Sequence, residues 1–354
     1  MLDIYAGATA LEKIQSQGLS PSLFDTILGA SGGPKWFVLA GLDRVIIPEF
    51  FGSTSHQINV VGSSAGAFRA ACMAQAKPRD AIDRLAHFYS HTVYGAKPTP
   101  KDITQSVIDI MDSMMGDNGI DEILHNPRVK PHFIVARAKG LNKYESKWAQ
   151  IPGLALSAAM NYCSRSLLKY TFDRVVFSTS SIKIDCPYNL PTEYQTLNKD
   201  NLIQALTASG SIPAIMEGVE NIIGAPKGMY RDGGVVDYHF DIKCKHHQHD
   251  DNLILYPHFY AQPSPGWFDK SIKSRVPHVR NYDNVVMLVP SARFVDSLPY
   301  QKIPDRTDFE TMDASTRITY WTQVLKQTNQ LGDAFLEMAS DPNISQRIKP
   351  FVFS

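Results

Sequence analysis

The chain has 354 residues, 44% of them hydrophobic and 20% charged, and its 35 Lys and Arg balance 35 Asp and Glu. That length and apolar content suffice for one large α/β core or two smaller ones. The zero net charge argues against a nucleic-acid groove and against a strongly basic membrane patch. In chain order, Thr26-Ile27-Leu28 reads as a strand, followed by the glycine loop Gly29-Ala30-Ser31-Gly32-Gly33-Pro34. A helix from Lys35 to about Ile46 follows, with Phe37, Val38, Leu42 and Val45 as its apolar stripe. A second unit repeats the pattern. Ile58-Asn59-Val60-Val61 is a short β-branched run, Gly62-Ser63-Ser64-Ala65-Gly66 a tight turn, and Ala67 to Ala74 an Ala-rich helix. Two adjacent βα units predict a parallel sheet.

Residues from about 80 to 126 are helical in pattern, broken at Gly95, Pro98 and Pro100. His132 to Ala136 and Arg174 to Phe177 read as strands. Between them, Ile151 to Tyr170 is helical by length and Ala/Leu content, with Leu154, Leu156, Met160, Leu167 and Leu168 as apolar anchors. A buried core helix is expected there in preference to a lipid-facing lid. A helix from about Asn201 to Ala208 runs into Ser209-Gly210-Ser211-Ile212-Pro213, and strand-like Met229-Tyr230 leads into Arg231-Asp232-Gly233-Gly234. Leu253 to Tyr256 and Val285 to Val289 are further strands. Ile318, Trp321, Val324, Leu325, Leu331, Phe335 and Met338 predict a last helix packed on the sheet. With no repeat and no linker, residues 1–354 are expected to form a single domain. Its motif-bearing core spans about 23–240, and its C-terminal strands and helix about 250–340.

The cysteines Cys72, Cys163, Cys186 and Cys244 are scattered without a CxxC pair, which fits free thiols in a reducing compartment. No basic segment followed by an apolar core opens the chain, and no apolar run approaches the roughly 20 residues of a membrane span. A cytoplasmic location is expected.

Three segments carry chemistry. The Gly-x-Ser-x-Gly turn between strand and helix forces Ser64 into a strained conformation at the carboxyl edge of a sheet. Gly62 and Gly66 let strand and helix pass close together. The helix that follows opens with N–H donors able to stabilise an oxyanion. The loop Ser31-Gly32-Gly33-Pro34-Lys35 offers similar donors, although a plain βα turn explains it equally well alone. Asp232-Gly233-Gly234 is by itself a common turn.

In this order the three segments resemble the patatin-like phospholipase family. Its pattern is a glycine-rich oxyanion loop, a GxSxG elbow and a distant DG[GA]. The stretch Ala205 to Pro213 is also similar to the family's Ser-rich segment ahead of the Asp motif. The resemblance implies a three-layer α/β fold, a mostly parallel central sheet with helices on both faces. It implies a Ser–Asp dyad without histidine, with Ser64 as nucleophile and Asp232 as general base. Gly32, Gly33 and the N–H of Ala65 would supply the oxyanion donors, and Gly62, Gly66 and Gly233 would support the motifs. The implied activity is hydrolysis of a carboxylic ester of a phospholipid or lysophospholipid through an acyl-enzyme. It needs no metal or organic cofactor. The expected partner is a lipid or acyl-ester substrate, met in transient contact with a membrane surface, and no nucleic acid. Ser31 and Trp36 stand where the family usually has glycine. Ser31 is expected to keep a backbone donor, and Trp36 must point away from the pocket or reshape its mouth.

Two rival classes stay open at this point. One is a soluble serine esterase with a histidine-containing triad, using His239 or His258 as base. The other is a non-catalytic lipid- or acyl-binding protein with a damaged oxyanion loop. The run Cys244-Lys245-His246-His247-Gln248-His249-Asp250-Asp251 has zinc-type ligands at a spacing that fits no structural site, and reads as a polar surface loop. The glycine loop is no P-loop, since Pro34 replaces a required glycine and Trp36 the magnesium-binding Ser/Thr.

Overall fold

A computed structural model describes residues 1–245 and 252–353. The segment from His246 to Asp251, which carries most of the zinc-type ligands, lies outside the described residues. Strands β1 (Leu2–Ala6), β2 (Phe24–Gly29), β3 (Ile58–Ser63), β4 (Val129–Ala138) and β5 (Phe172–Ser178) come first in the chain. They are followed by β6 (Lys183–Asp185), β7 (Thr192–Thr196), β8 (Val219–Glu220), β9 (Met229–Asp232) and β10 (Lys243–Lys245). The last are β11 (Leu253–Pro257), β12 (Val285–Pro290) and β13 (Lys349–Pro350). The main sheet runs β13-β1-β12-β11-β2-β3-β4-β5-β7, with β9 added on β4 and β8 on β9. Neighbours from β12 through β11, β2 and β3 to β4 are parallel, whereas β1 on β12 and β5 on β4 are antiparallel. This is the expected mostly parallel α/β sheet with helices around it in three layers. Its central strands β2 and β3 are buried along their whole length, as a sheet covered on both faces requires.

One edge of β4 fixes the geometry that matters. Its first part pairs in parallel with β3, ending at Ser63 opposite Ile134. Its last part pairs antiparallel with β9, where Asp232 lies opposite Val135. Two strands of opposite direction therefore meet end to end along one edge, and the residues at their meeting ends are Ser63 and Asp232. Ser64 follows immediately.

The two βα units pack as closely as glycine allows. A Cβ on Gly62 would lie 2.2 Å from the Gly66 carbonyl oxygen, and one on Gly66 would lie 1.7 Å from that of Gly29. The following helices are tied together by a buried bidentate pair. Arg69 Nε and Nη2, on the helix Ala65–Met73, donate to the Asp43 carboxylate on the helix Ala40–Val45, both at 2.7 Å.

Three expectations need correction. The helix expected from Lys35 to Ile46 is a 3₁₀ turn over Gly33–Leu39, an α-helix over Ala40–Val45 and a π turn over Ile46–Phe50. Pro48 has no N–H for the helical ladder, and the chain closes with the wider Phe51 N–H to Ile46 carbonyl bond at 2.9 Å. The single last helix is two, Ala314–Gln327 and Asn329–Ala339. They part at Thr328, whose Oγ1 accepts from the Gly41 N–H at 3.1 Å. The stretch expected as a buried core helix is the helix Lys147–Cys163 followed by a 3₁₀ turn, and its faces are reversed. Gln150, Gly153, Ser157 and Asn161 face inward. Trp148 is 93% exposed and Ile151 55%, and Leu156 and Tyr162 are exposed as well. The inward face packs through hydrogen bonds from the asparagine amide nitrogens, Asn142 Nδ2 to Ser157 Oγ at 2.9 Å and Asn161 Nδ2 to Asp269 Oδ1 at 2.7 Å.

Removing one member of the buried Arg69–Asp43 pair leaves the other charge without compensation. Asp43→Asn is expected to destabilise the protein by about 3–5 kcal/mol in equilibrium urea unfolding. A loss below about 1 kcal/mol would show that the pair does not tie the helices.

Candidate active site

Ser64 sits between β3 and the helix Ala65–Met73 with φ 53° and ψ −127°, a left-handed conformation rare outside glycine. The strain is held by bonds to its neighbours. The Ser64 N–H donates to Ser209 Oγ at 3.0 Å, and that hydroxyl donates in turn to the Ile134 carbonyl at 2.8 Å. The Asp232 N–H donates to the Ser211 carbonyl at 2.9 Å. The Ser209-Gly210-Ser211 segment thus grips both residues, a role that the sequence signalled only through the family pattern.

The Ser64 hydroxyl donates directly to Asp232 Oδ2 at 2.7 Å. The other carboxylate oxygen accepts the Gly234 N–H at 2.7 Å. Gly233 turns the chain between them, where a Cβ would lie 2.0 Å from the Ile134 carbonyl oxygen. Both side chains are buried. Burial raises the Asp232 carboxyl above its ordinary value of 3.8, against the opposing pull of the Arg306 charge and the bonds from Ser64 and Gly234. A hydroxyl on a carboxylate of raised proton affinity is arranged for proton transfer.

Among the described residues no histidine stands between them. His239 Nδ1 accepts from the Ser264 N–H at 3.0 Å, and His258 Nδ1 donates to the Tyr260 carbonyl at 2.6 Å. Burial pushes His239 well below its ordinary value and His258 down to about 3, so both rings are neutral at pH 7.

The glycine loop lies beside this pair. Gly33 has φ 55°, so the turn there favours glycine. Among the described residues no hydrogen bond occupies the N–H of Gly32, Gly33 or Ala65. Ser31 corrects the expectation of a free donor, since its N–H is bonded to the Tyr238 carbonyl at 2.9 Å. Its hydroxyl meets Ser63 Oγ at 2.7 Å, bracing loop against elbow. Trp36 is fully buried against Phe37 and lines neither cavity at the site.

Ser64 opens onto two cavities. One, of about 630 Å³, is mainly apolar and is lined by Phe68, Ile103, Val107, Ile110, Ile212 and Met216 among others. The other, of about 200 Å³, is polar and holds Lys35, Lys270, Asp305 and Arg306 around Asp232. Arg306 lines both. Arg306, Asp305 and Lys270 carry no signal in the sequence, where they are charged loop residues without periodicity or motif.

A strained serine on a βα elbow, bonded to a buried carboxylate and facing an apolar cavity, defines an α/β protein with a hydrolase-type site. Residues 59–239, just over half of the chain, match the family model for patatin-like phospholipase. The chain belongs to the patatin-like phospholipase family. Membership supports a lipid acyl hydrolase with lipid ester substrates. Among solved structures, VipD from Legionella pneumophila is similar at 12% identity and a TM-score of 0.35, over 88% of this chain and 67% of that one. No curated protein matches in sequence.

The environment of Asp232 gives a titration prediction. Its carboxyl ¹³C signal, assigned by its loss in Asp232→Asn, should titrate above the ordinary carboxylate value of 3.8. Arg306 stabilises the charged form, so Arg306→Gln should move the midpoint to still higher pH. A midpoint at or below the ordinary value, or a downward move in Arg306→Gln, would contradict this environment.

Proposed function

We propose that the protein is a serine lipid acyl hydrolase that cleaves carboxylic esters of phospholipids or lysophospholipids with Ser64 as nucleophile and Asp232 as general base. The observation that carries the proposal is the direct 2.7 Å hydrogen bond from Ser64 Oγ to Asp232 Oδ2 beside the apolar cavity. Asp232 takes the Ser64 proton as Oγ attacks the ester carbonyl. The carbonyl oxygen becomes an oxyanion held by the N–H groups of Gly32, Gly33 and Ala65. The ester C–O bond then breaks and the leaving alcohol takes the proton from Asp232. Water, deprotonated by the same carboxylate, frees the fatty acid and restores Ser64. These steps use only groups of the chain and water, so no metal or cofactor is assigned.

The chain works as one unit in this proposal. The sheet that carries the site takes β1 from residues 2–6 and β12 from residues 285–290, and Arg306 enters the site from beyond them. All four cysteines are free, which fits the reducing cytoplasm. Among the described residues no helix is long and apolar enough to cross a membrane.

Contact with a membrane surface is assigned to the outward face of the helix Lys147–Cys163. Trp148, Ile151, Leu156 and Tyr162 are exposed there, and Lys143, Lys147 and Lys169 flank them. Gln150 Oε1, on the inward face of that helix, accepts the Ala214 N–H at 2.7 Å. Ala214 adjoins Ile215, which lines the apolar cavity, so a docked helix would set the cavity mouth near the lipid.

Two measurements test these assignments. On a short-chain p-nitrophenyl ester, Ser64→Ala should be inactive and Asp232→Asn should lose at least about a hundredfold in kcat, the scale of general-base catalysis. Folded His239→Ala and His258→Ala should retain turnover. Loss of turnover in either histidine variant, or its survival in Ser64→Ala, would overturn the dyad. In vesicle co-sedimentation, Trp148→Ala combined with Ile151→Ser should weaken partitioning at least about tenfold, given the 1.5–3 kcal/mol or so carried by each buried large apolar side chain. Unchanged partitioning would remove this helix from the membrane contact.

A further inference from the structure

The acyl hydrolase reading uses Gly32, Ser64 and Asp232 of the polar cavity but leaves its cations Lys35 and Lys270 without a role. Ser64 lines both cavities, so an ester bound at its hydroxyl has one chamber on each side. The apolar chamber suits an acyl chain. The polar chamber, at about 200 Å³, is less than a third of the other's 630 Å³ and is walled by charge. A second acyl chain does not suit it.

The charges do not cancel. Lys35 is ion-paired with Asp305. Asp232 is bonded to Ser64 and to the Gly234 N–H. Lys270 and Arg306 have no carboxylate within ion-pair distance among the described residues. Lys270 Nζ stands 3.8 Å from the centre of the Tyr238 ring, which also lines the chamber. Arg306 lies beside the Tyr89 phenol, and a Cβ on Gly33 would meet its Nε at 2.9 Å. Three cations thus face two carboxylates in a small chamber beside Ser64. Burial, Lys35 and Arg306 together lower the Lys270 ammonium to about 8, against the opposing pull of the Asp232 and Asp305 carboxylates.

We propose that this chamber, framed by Lys35, Lys270 and Arg306, binds a phosphate group carried by the alcohol half of the scissile ester, so that the favoured substrate is a single-chain acyl ester of a glycerophosphate-sized alcohol. The inference rests on the hydrolase reading for its chemistry, but the anion site stands on its own geometry. Lys270 and Arg306 lie outside the segment that matches the family model. An anion there would face the unpaired charges directly, with charge-assisted hydrogen bonds from an ammonium and a guanidinium. The acyl–oxygen bond then lies over Ser64, and the proton delivered by Asp232 goes to the glycerol oxygen as it leaves with its phosphate.

The test compares 1-decanoylglycerol 3-phosphate with 1-decanoylglycerol, and separately titrates glycerol 3-phosphate into the enzyme by calorimetry. Wild type should favour the phosphate ester by at least about tenfold in kcat/KM, the scale of one charge-assisted hydrogen bond. Lys270 is exposed on one side, so Lys270→Gln should fold normally. It should remove most of that preference, mainly through KM, and weaken glycerol 3-phosphate binding at least about tenfold, while Lys270→Arg keeps both. Equal kcat/KM for the two esters in wild type, or a preference unchanged in Lys270→Gln, would overturn the proposal. So would undetectable glycerol 3-phosphate binding. If neither ester is cleaved yet glycerol 3-phosphate binds in a Lys270-dependent way, the anion site stands and the hydrolase reading fails.

Discussion

The site depends on how one strand edge is shared. β4 gives part of an edge to β3 running parallel and the rest to β9 running antiparallel. Strand ends from distant parts of the chain are thereby brought nose to nose. Ser64 and Asp232, 168 residues apart, lie within a hydrogen bond through backbone pairing rather than through flexible side-chain reach. Backbone pairing is stiff, and a proton transfer needs such precision of placement.

That arrangement requires close packing and a controlled electrostatic field. Gly29, Gly62 and Gly66 stack so closely that no Cβ fits at the turn contact. The Ser64 backbone is left in a strained conformation that neighbouring hydrogen bonds hold in place. Asp232 is buried, which makes it more basic, while Arg306 and Lys270 stand close enough to keep its anionic form accessible. The same cations leave a surplus of positive charge next to the Ser64 hydroxyl. The chemistry proposed for the dyad and the phosphate selectivity proposed for the polar chamber therefore draw on one set of charges.

The sequence was most informative where local geometry restricts residue choice. The elbow was legible because a strand, a turn too tight for side chains and an Ala-rich helix leave a distinct local pattern. Asp232 was legible only through the family pattern, since Asp-Gly-Gly says nothing of what it will face. Arg306 and Lys270 carried no signal, because a single charge on a loop acquires meaning only when tertiary folding delivers it. The orientation of the helix Lys147–Cys163 was not legible, because apolar composition does not distinguish a core-facing helix from one whose apolar face is turned outward. The clue was the helical spacing of Gln150, Gly153, Ser157 and Asn161, which marks a small and polar face able to pack by hydrogen bonds. The tail divided at Thr328 because its carbonyl and hydroxyl meet Gly41, a contact with no trace in the apolar periodicity.

The central claim is that Ser64 reacts and that the Asp232 carboxylate makes it reactive. The most direct measurement is the rate and position of labelling by a fluorophosphonate, followed by intact mass and peptide mapping. The account predicts one adduct per chain, on Ser64, formed much more slowly in folded Asp232→Asn. An adduct on another residue, or a Ser64 labelling rate unaffected by loss of the carboxylate, would contradict it.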